Sequence, residues 1–366
     1  MIWFREIWRS KLKFLLLAAA IGLLFFLLVF VNTLSTTLLG SFIGALEGNS
    51  ADVLVYDAES QATIPASRLT PDDVEAVGSV DGVAVASPIS VLTSDVDFGG
   101  QQLDMSLWGI DPQGPGSPVD LLEGDLPAAG QAVVDTSARD EGFRIGSSFE
   151  IRGVTVEVVG VADNATYSVL PTAYLPNETF SEVFLGVFPQ APAVPINMIG
   201  VRADAAADPV DVAASISRLD GLVGLSPSEA AASTPGVSSI QQSFGIITGI
   251  TFVIVILVVG FFFQILTVQK LNVFTLLRAV GARTKNVVSY VFGQIGFLVL
   301  LGVLIGVALL VATAAGTREF FAIDLDPVLI SGFGAAILLA SLLSGLTSIR
   351  RIGREDPAAA ATGEQN

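Results

Sequence analysis

The sequence predicts a membrane protein of four transmembrane α-helices, with a large α+β extracytoplasmic domain inserted between helices 1 and 2 and raised on stalk extensions of those helices. Three observations predict this class. The 366-residue chain has a mean hydropathy of +0.69, too apolar for an ordinary soluble protein. It contains four long runs without a charged residue, each long enough to cross a bilayer. Between the first two runs lies an acidic segment rich in Pro and Gly, with mixed periodicity.

Residues 1–13 are predicted to form a cytoplasmic interfacial amphipathic helix. Phe4, Ile7, Trp8 and Leu12 share one helical face, and tryptophans beside basic residues favour the lipid headgroup layer. The alternative is the start of a signal peptide, whose apolar region is about 7–15 residues long. We favour an uncleaved span, because residues 14–46 include no charge.

Residues 14–46 are predicted to form transmembrane helix 1 plus a stalk. A helix of this length extends about 50 Å, whereas the hydrocarbon core is about 30 Å thick. The bulky apolar residues of the first part also give way to Asn, Ser and Thr in the second part. We therefore expect the helix to continue beyond the bilayer.

Residues 47–233 are predicted to form the α+β domain, which is long enough to hold its own core. Apolar–polar alternation and β-branched residues predict strands at 52–56, 83–91, 103–110, 148–151, 154–161 and 197–201. Helices are expected at 71–77, capped by Thr70, and at 209–219, capped by Asp208.

The remaining chain is divided by its uncharged runs. The predicted order is a stalk plus transmembrane helix 2 (234–268), a cytoplasmic coupling hook (269–286), transmembrane helix 3 (287–315), an extracytoplasmic turn (316–327), transmembrane helix 4 (328–349) and a cytoplasmic tail (350–366).

The distribution of charge predicts the orientation. The N-terminal segment, the hook and the tail hold eleven of the 18 basic residues and four of the 35 acidic ones. Short segments rich in Lys and Arg stay in the cytoplasm. Both termini and the hook are therefore expected inside, and the large domain outside a multi-pass cell (plasma or inner) membrane.

The hook reads as a short amphipathic helix. Val273, Leu276, Leu277 and Val280 follow helical spacing, and Phe274 lies beside them. The opposite face carries Asn272, Thr275 and Arg278, and Gly281 is a natural helix stop. Such a hook suits docking to a protein on its own side of the membrane, although the pattern is equally typical of an ordinary interfacial loop helix.

Several kinds of chemistry are missing from the sequence. The chain has no Cys and no His, which excludes thiol nucleophiles, His-based triads and His/Cys zinc sites. It has no phosphate-binding loop for ATP, and the predicted spans hold no charged residue of the kind that ion-coupled carriers need. We therefore predict no catalytic, cofactor-binding or metal-binding residues and no nucleic-acid partner, and expect a non-enzymatic device that transmits movement or information between hook and outer domain.

The layout and the hook together resemble the MacB/FtsX-like permeases of ATP-binding-cassette (ABC) transporters. TLLRAVGA at residues 275–282 is similar to the "lLRAiGA" signature of that family, and the tail RRIGREDPAAA is similar to its ending. NSADVLVYDAES and PTAYLP in the outer domain look most like the half-size, DevC-like branch. Departures occur at Asn272 and Val273, where many members have an Arg–Glu pair, and at Gln294, where a Glu is common.

The resemblance implies a permease subunit that works as a dimer, with a second copy or a homologue, and with two copies of a separate ABC ATP-binding subunit that holds ATP and Mg. In the family the hook docks on this ATPase, so the expected ATPase-coupling residues are Val273, Phe274, Leu277, Arg278, Gly281 and Ala282. Closure of the ATPase would be passed to the outer domain, a mode called mechanotransmission.

Three functions remain open at this point. The first is export of a hydrophobic, peptide or lipid-linked substrate, with a periplasmic adaptor as a further candidate partner. The alternative is a non-transporting regulator that activates an extracytoplasmic cell-wall hydrolase or a sensor partner. The size of the outer domain favours export, because the division regulators of the family carry a smaller one. A membrane-tethered enzyme or receptor unrelated to any ATPase is the third.

Overall fold

The computed structural model describes residues 11–269, 284–317 and 326–352. The chain divides into two compact units. One, here called the helical unit, comprises Met1–Thr37 and Gln242–Asn366, and the other, the sheet unit, comprises Leu38–Gln241. The predicted interfacial helix at residues 1–13 falls almost wholly outside the described residues.

The first described helix, α1 (Lys11–Glu47), is 37 residues long and contributes residues to both units. Asn49 ends this helix: its side-chain Nδ2 donates to the carbonyl of Leu46 at 2.5 Å, and its Oδ1 accepts from the amide of Ala51 at 2.8 Å. The first bond satisfies a carbonyl that a helix C-terminus otherwise leaves without a partner, and the second holds the chain that leaves the helix.

The strands of the sheet unit, as far as the structure describes the chain, belong to one mixed sheet. They are β1 (Val53–Asp57), β2 (Val83–Phe98), β3 (Gln101–Ile110), β4 (Leu121–Gly124), β5 (Gln131–Asp135), β6 (Ser148–Ile151), β7 (Val154–Ala162), β8 (Thr172–Pro176), β9 (Met198–Ala203) and β10 (Leu222–Leu225). Their order is β10-β1-β9-β2-β3-β8-β5-β7-β4, with β6 paired to β2 and β7. The pairs β3–β8 and β5–β7 are parallel and the others antiparallel.

Strand β2 joins the two halves of this sheet. Its first part, from Val83 to Ile89, pairs with β9, and its second part, from Ser90 to Phe98, pairs with β3. Each half has its own apolar cluster, and a third cluster, which includes Trp108, lies against the end of α1. The large domain of mixed helices and strands that the sequence predicts is thus present.

Short helices cover the sheet. They are α2 (Pro71–Gly78), α3 (Thr136–Asp140), α4 (Asn177–Val187), α5 (Pro209–Ile216) and α6 (Pro227–Ser233). Both predicted caps are confirmed. Thr70 forms a capping box with Asp73, and the Asp208 side chain accepts from the amide of Val210 at 2.9 Å.

The chain then continues into α7 (Val237–Gln269), α8 (Thr284–Thr317) and α9 (Pro327–Ile352). Among the described residues, Lys11–Glu47, Val237–Ile265 and Phe292–Gly316 are long and apolar enough to cross a membrane, and Pro327–Leu343 is a shorter apolar stretch. The fourth transmembrane helix therefore stays a prediction.

Glycines allow α1 and α8 to approach closely within the helical unit. A Cβ added at Gly302 would lie 2.6 Å from Ile21 Cγ2, and one at Gly22 would lie 2.8 Å from the carbonyl oxygen of Gly302. Small residues commonly permit such contact between membrane helices. The crossing is surrounded by buried apolar side chains that include Phe25 and Leu298.

Candidate functional site

The predicted ATPase-coupling residues lie between α7 and α8, outside the residues that the structure describes: Val273, Phe274, Leu277, Arg278, Gly281 and Ala282. The preceding residue that is described, Gln269, accepts a hydrogen bond from Lys13 Nζ at 2.5 Å. The end of α7 and the beginning of α1 therefore lie at the same end of the helical unit.

The last turns of α1 are hydrogen-bonded to a loop of the sheet unit, residues 163–170, here called the α1-binding loop. The amide of Ala45 donates to the carbonyl of Thr166 at 2.9 Å, and the amide of Val169 donates to the carbonyl of Ser41 at 2.8 Å. Because these bonds join main-chain atoms, they position the helix backbone itself rather than a movable side chain.

Two glycines permit this close contact. A Cβ added at Gly44 would lie 3.1 Å from the backbone carbon of Asn164, and one at Gly48 would overlap the Asn164 carbonyl oxygen. Asn164 itself has a left-handed backbone with φ of 46°, a conformation that Asn adopts more readily than most residues. The fit of helix and loop therefore depends on both small residues and a special turn.

A buried carboxylate holds the α1-binding loop in place. Asp135 Oδ2 accepts from Thr166 Oγ1 at 2.5 Å and from Ser137 Oγ at 2.6 Å, and its Oδ1 accepts from the amides of Ala138 at 2.9 Å and Thr172 at 3.1 Å. Burial raises the pKa of Asp135, and these four hydrogen bonds oppose the shift in part. Thr166 is bonded to both Asp135 and Ala45, so the carboxylate is linked to α1 through one residue.

Aromatic side chains pack beneath the same loop. The Tyr174 hydroxyl donates to the carbonyl of Ala165 at 2.9 Å, and the rings of Trp108 and Tyr167 meet edge to face with centroids 5.5 Å apart. Burial raises the pKa of Tyr167 to about 12. The buried Tyr56 hydroxyl has no hydrogen-bond partner among the described residues, and burial raises its pKa still further.

An open cleft of about 1080 Å³ adjoins the α1-binding loop at Tyr167. The other walls come from segments 64–71, 91–93 and 184–197, where β2 changes partners and α4 ends. Most of the lining side chains are apolar, and Arg68 is the charged one among those described. A concave apolar surface with few polar groups is the usual form of a small-molecule site.

The sequence reasoning missed Asp135, the α1-binding loop and Arg68. A repeat of glycine every fourth residue, at Gly40, Gly44 and Gly48, was the available signal for close packing at the end of α1. No local pattern connects Asp135 with Thr166, which lies 31 residues further along the chain.

Family models match both parts of the chain. Residues 14–219 match the model described as the MacB-like periplasmic core domain, and residues 245–357 match that of the FtsX-like permease C-terminal region. The two matches follow one another along the sequence and together include most of it.

Individual relatives agree in length with this chain. An uncharacterized ABC transporter permease of Mycobacterium tuberculosis (strain ATCC 25618 / H37Rv) is 21% identical over 358 residues, 97% of each chain. A second such permease, from Mycobacterium bovis, is 21% identical over 299 residues, which is 80% of this chain and 78% of that one. The solved periplasmic region of MacB from Actinobacillus actinomycetemcomitans has a TM-score of 0.38 and 13% identity, covering 50% of this chain and 92% of that one.

Proposed function

Because this chain belongs to the MacB/FtsX-like family of ABC transporter permeases, we propose that it couples ATP hydrolysis by a separate ATPase subunit to movement of its outer domain, and so exports a hydrophobic, peptide or lipid-linked substrate. The family implies an ABC system with an ATPase partner. Two ATPase copies, a second permease copy and a cytoplasmic location of the hook are part of the proposal.

The observation that supports coupling is the attachment of α1. This one helix supplies residues to the apolar core of the helical unit and, at Ser41 and Ala45, main-chain bonding groups to the α1-binding loop. A displacement of α1 would therefore be passed to the loop through its backbone, and from Thr166 to the buried Asp135. The displacement would reach the sheet at β5, because Asp135 is the last residue of that strand.

Docking of the ATPase is tested in the hook, with substitutions that differ only in the helical face they change. Leu277→Asp places a charge on the apolar face and should abolish co-purification of the ATPase subunit. Thr275→Asp places the same charge on the polar face and should leave co-purification intact. Equal yields of ATPase from the two variants would contradict docking through the apolar face.

Movement of the outer domain is tested with distance labels. The chain has no cysteine of its own, so Gln101→Cys, at an exposed position beginning β3, provides one unique labelling site per subunit. In the assembled complex, a non-hydrolysable ATP analogue should change the distance between the spin labels of the two subunits, measured by electron-spin resonance. The same analogue should cause no change when the complex also carries Leu277→Asp. An unchanged distance in the otherwise wild-type complex would refute mechanotransmission.

A further inference from the structure

The cleft of the sheet unit combines an apolar lining with a positive charge. Its apolar side chains include Leu69, Leu92, Phe188 and Val194. The described lining includes Arg68 but no Asp or Glu, although residues Leu38–Gln241 contain 28 acidic residues against six basic ones. A surface without carboxylates in so acidic a unit is therefore suited to an anion.

Arg68 is an exposed residue whose guanidinium is bonded to backbone carbonyls at the edge of the cleft. Its Nη1 donates to the carbonyls of Pro65 and Ser67, both at 2.8 Å, which fixes the guanidinium at the cleft. Within the described part of the chain, no carboxylate lies within 4.0 Å of it, which also holds for Arg144, Arg202 and Arg218 but not for Arg139 and Arg152; Arg68 alone of these six lines the cleft. A guanidinium has five N–H donors, so further donors stay open to a bound carboxylate or phosphate.

Two of the other polar side chains of the lining, those of Thr70 and Asn197, already bond within the protein. The Asn197 amide donates to the carbonyls of Ile64 at 3.1 Å and Ser67 at 3.4 Å, and its oxygen accepts from the amide of Val91 at 2.8 Å. The Thr70 hydroxyl is bonded to Asp73. A bound peptide would leave many of its amides without partners here, which is unfavourable, whereas a hydrocarbon chain requires none.

We propose that this cleft binds a single-chain amphipathic anion, with its acidic group on Arg68 and its hydrocarbon chain along the apolar lining. The inference rests on the proposed export function and names its substrate class as lipid-like. The volume of about 1080 Å³ slightly exceeds the roughly 300–1,000 Å³ of typical ligand pockets, which suits a long flexible chain.

The test uses quenching of Trp108, whose ring contacts Tyr167 of the cleft. Trp3→Phe and Trp8→Phe leave Trp108 as the sole tryptophan. In the full chain in nanodiscs, a bromine-labelled stearate should quench Trp108 saturably, because bromine quenches only at short range. Arg68→Gln should weaken this binding about tenfold, in proportion to a lost charge-assisted hydrogen bond. Arg144→Gln, an exposed arginine away from the cleft, should leave it unchanged.

Two further comparisons distinguish recognition of the ligand's negative charge from occupation of the cleft by its hydrocarbon chain. The methyl ester of the same brominated acid should bind about tenfold more weakly than the acid. Thr93→Phe, at an exposed β2 position in the cleft wall where an aromatic suits a strand, should block the acid and the ester alike. Equal binding of acid and ester would overturn recognition of the anion by Arg68. Non-saturable quenching, or quenching unchanged by Thr93→Phe, would overturn the cleft as the binding site.

These measurements need no ATPase subunit. If the permease binds its ATPase but shows no saturable quenching, the proposed lipid site is refuted and the proposed export function is not. Saturable quenching in a chain that recruits no ATPase would instead retain the site and refute the proposed function.

Discussion

Replacing Gly48 with Ala tests whether the end of α1 is fitted to the α1-binding loop. The new Cβ would overlap the carbonyl oxygen of Asn164, and main-chain atoms cannot rotate away as a flexible side chain can. Overpacking of this kind typically destabilises a protein by about 1–3 kcal/mol. In a unit of this size each kcal/mol corresponds to about 2–4 °C, so we expect the melting temperature to fall by about 2–12 °C.

The same substitution at two glycines within α1 provides the controls, since Gly48 itself directly follows the last residue of that helix. Gly44→Ala places its Cβ 3.1 Å from Asn164, a tight but not overlapping contact, and should have a smaller effect. Gly40→Ala meets nothing within 4 Å. Because Ala favours a helix over Gly by about 1 kcal/mol, Gly40→Ala should leave the melting temperature unchanged or raise it by about 3 °C.

The assay is thermal unfolding of the full chain in nanodiscs, followed by the fluorescence of Trp108 in the Trp3→Phe, Trp8→Phe background. This fully buried side chain belongs to the same apolar cluster as Leu46 of α1, so it reports on the junction directly. The order of stability should be Gly40→Ala, then Gly44→Ala, then Gly48→Ala. Equal melting temperatures for the first and last variants would refute the close fit of helix and loop.

Two further predictions concern other parts of the fold. Burial raises the pKa of Asp135 in the folded protein, so its carboxyl favours folding most at low pH, and this contribution is lost as the pH rises through the folded pKa. The melting temperature of wild type minus that of Asp135→Asn should therefore decrease from about pH 4 to 8. A constant or growing difference would contradict the assignment. Gly302→Leu should force α1 and α8 apart and destabilise the helical unit by about 1–3 kcal/mol, since even an added Cβ would lie 2.6 Å from Ile21. The control is Gly296→Leu on the same helix, where an added Cβ meets nothing within 4 Å and the substitution should be tolerated. Similar thermal stability of the two variants in detergent would show that the crossing is not tightly packed.

Elements with local signals were predictable from the sequence. Strand β6 was predicted with its observed bounds because apolar and polar residues alternate along it, and its burial alternates in the same way. Thr70 and Asp208 were predictable caps because each immediately precedes a proline that begins a helix. The long uncharged runs identified the apolar helices for the same reason, since length and composition are properties of a single segment.

Two strands that are buried along most of their length, β5 and β8, were missed, whereas β1 and β9, which are buried in a similar way, were predicted. Strand β8 is buried at every position and is bounded by prolines, so no period of two is visible in it. Helix α4, which follows directly, begins without a side-chain cap and gave no start signal. Strand β5 is likewise buried at four of its five positions, so its pattern does not reveal a face.

The sequence by itself determined the class of protein, the family signature and the positions of the long apolar runs, because hydropathy, charge and short motifs are carried by neighbouring residues. Only the tertiary structure decided that Asp135 holds the loop that binds α1, and that Arg68 lies in an apolar cleft with no acidic partner among the described residues. Both arrangements join residues far apart in the chain, and the free energy that selects them comes from burial and hydrogen bonds formed only when the sheet is assembled.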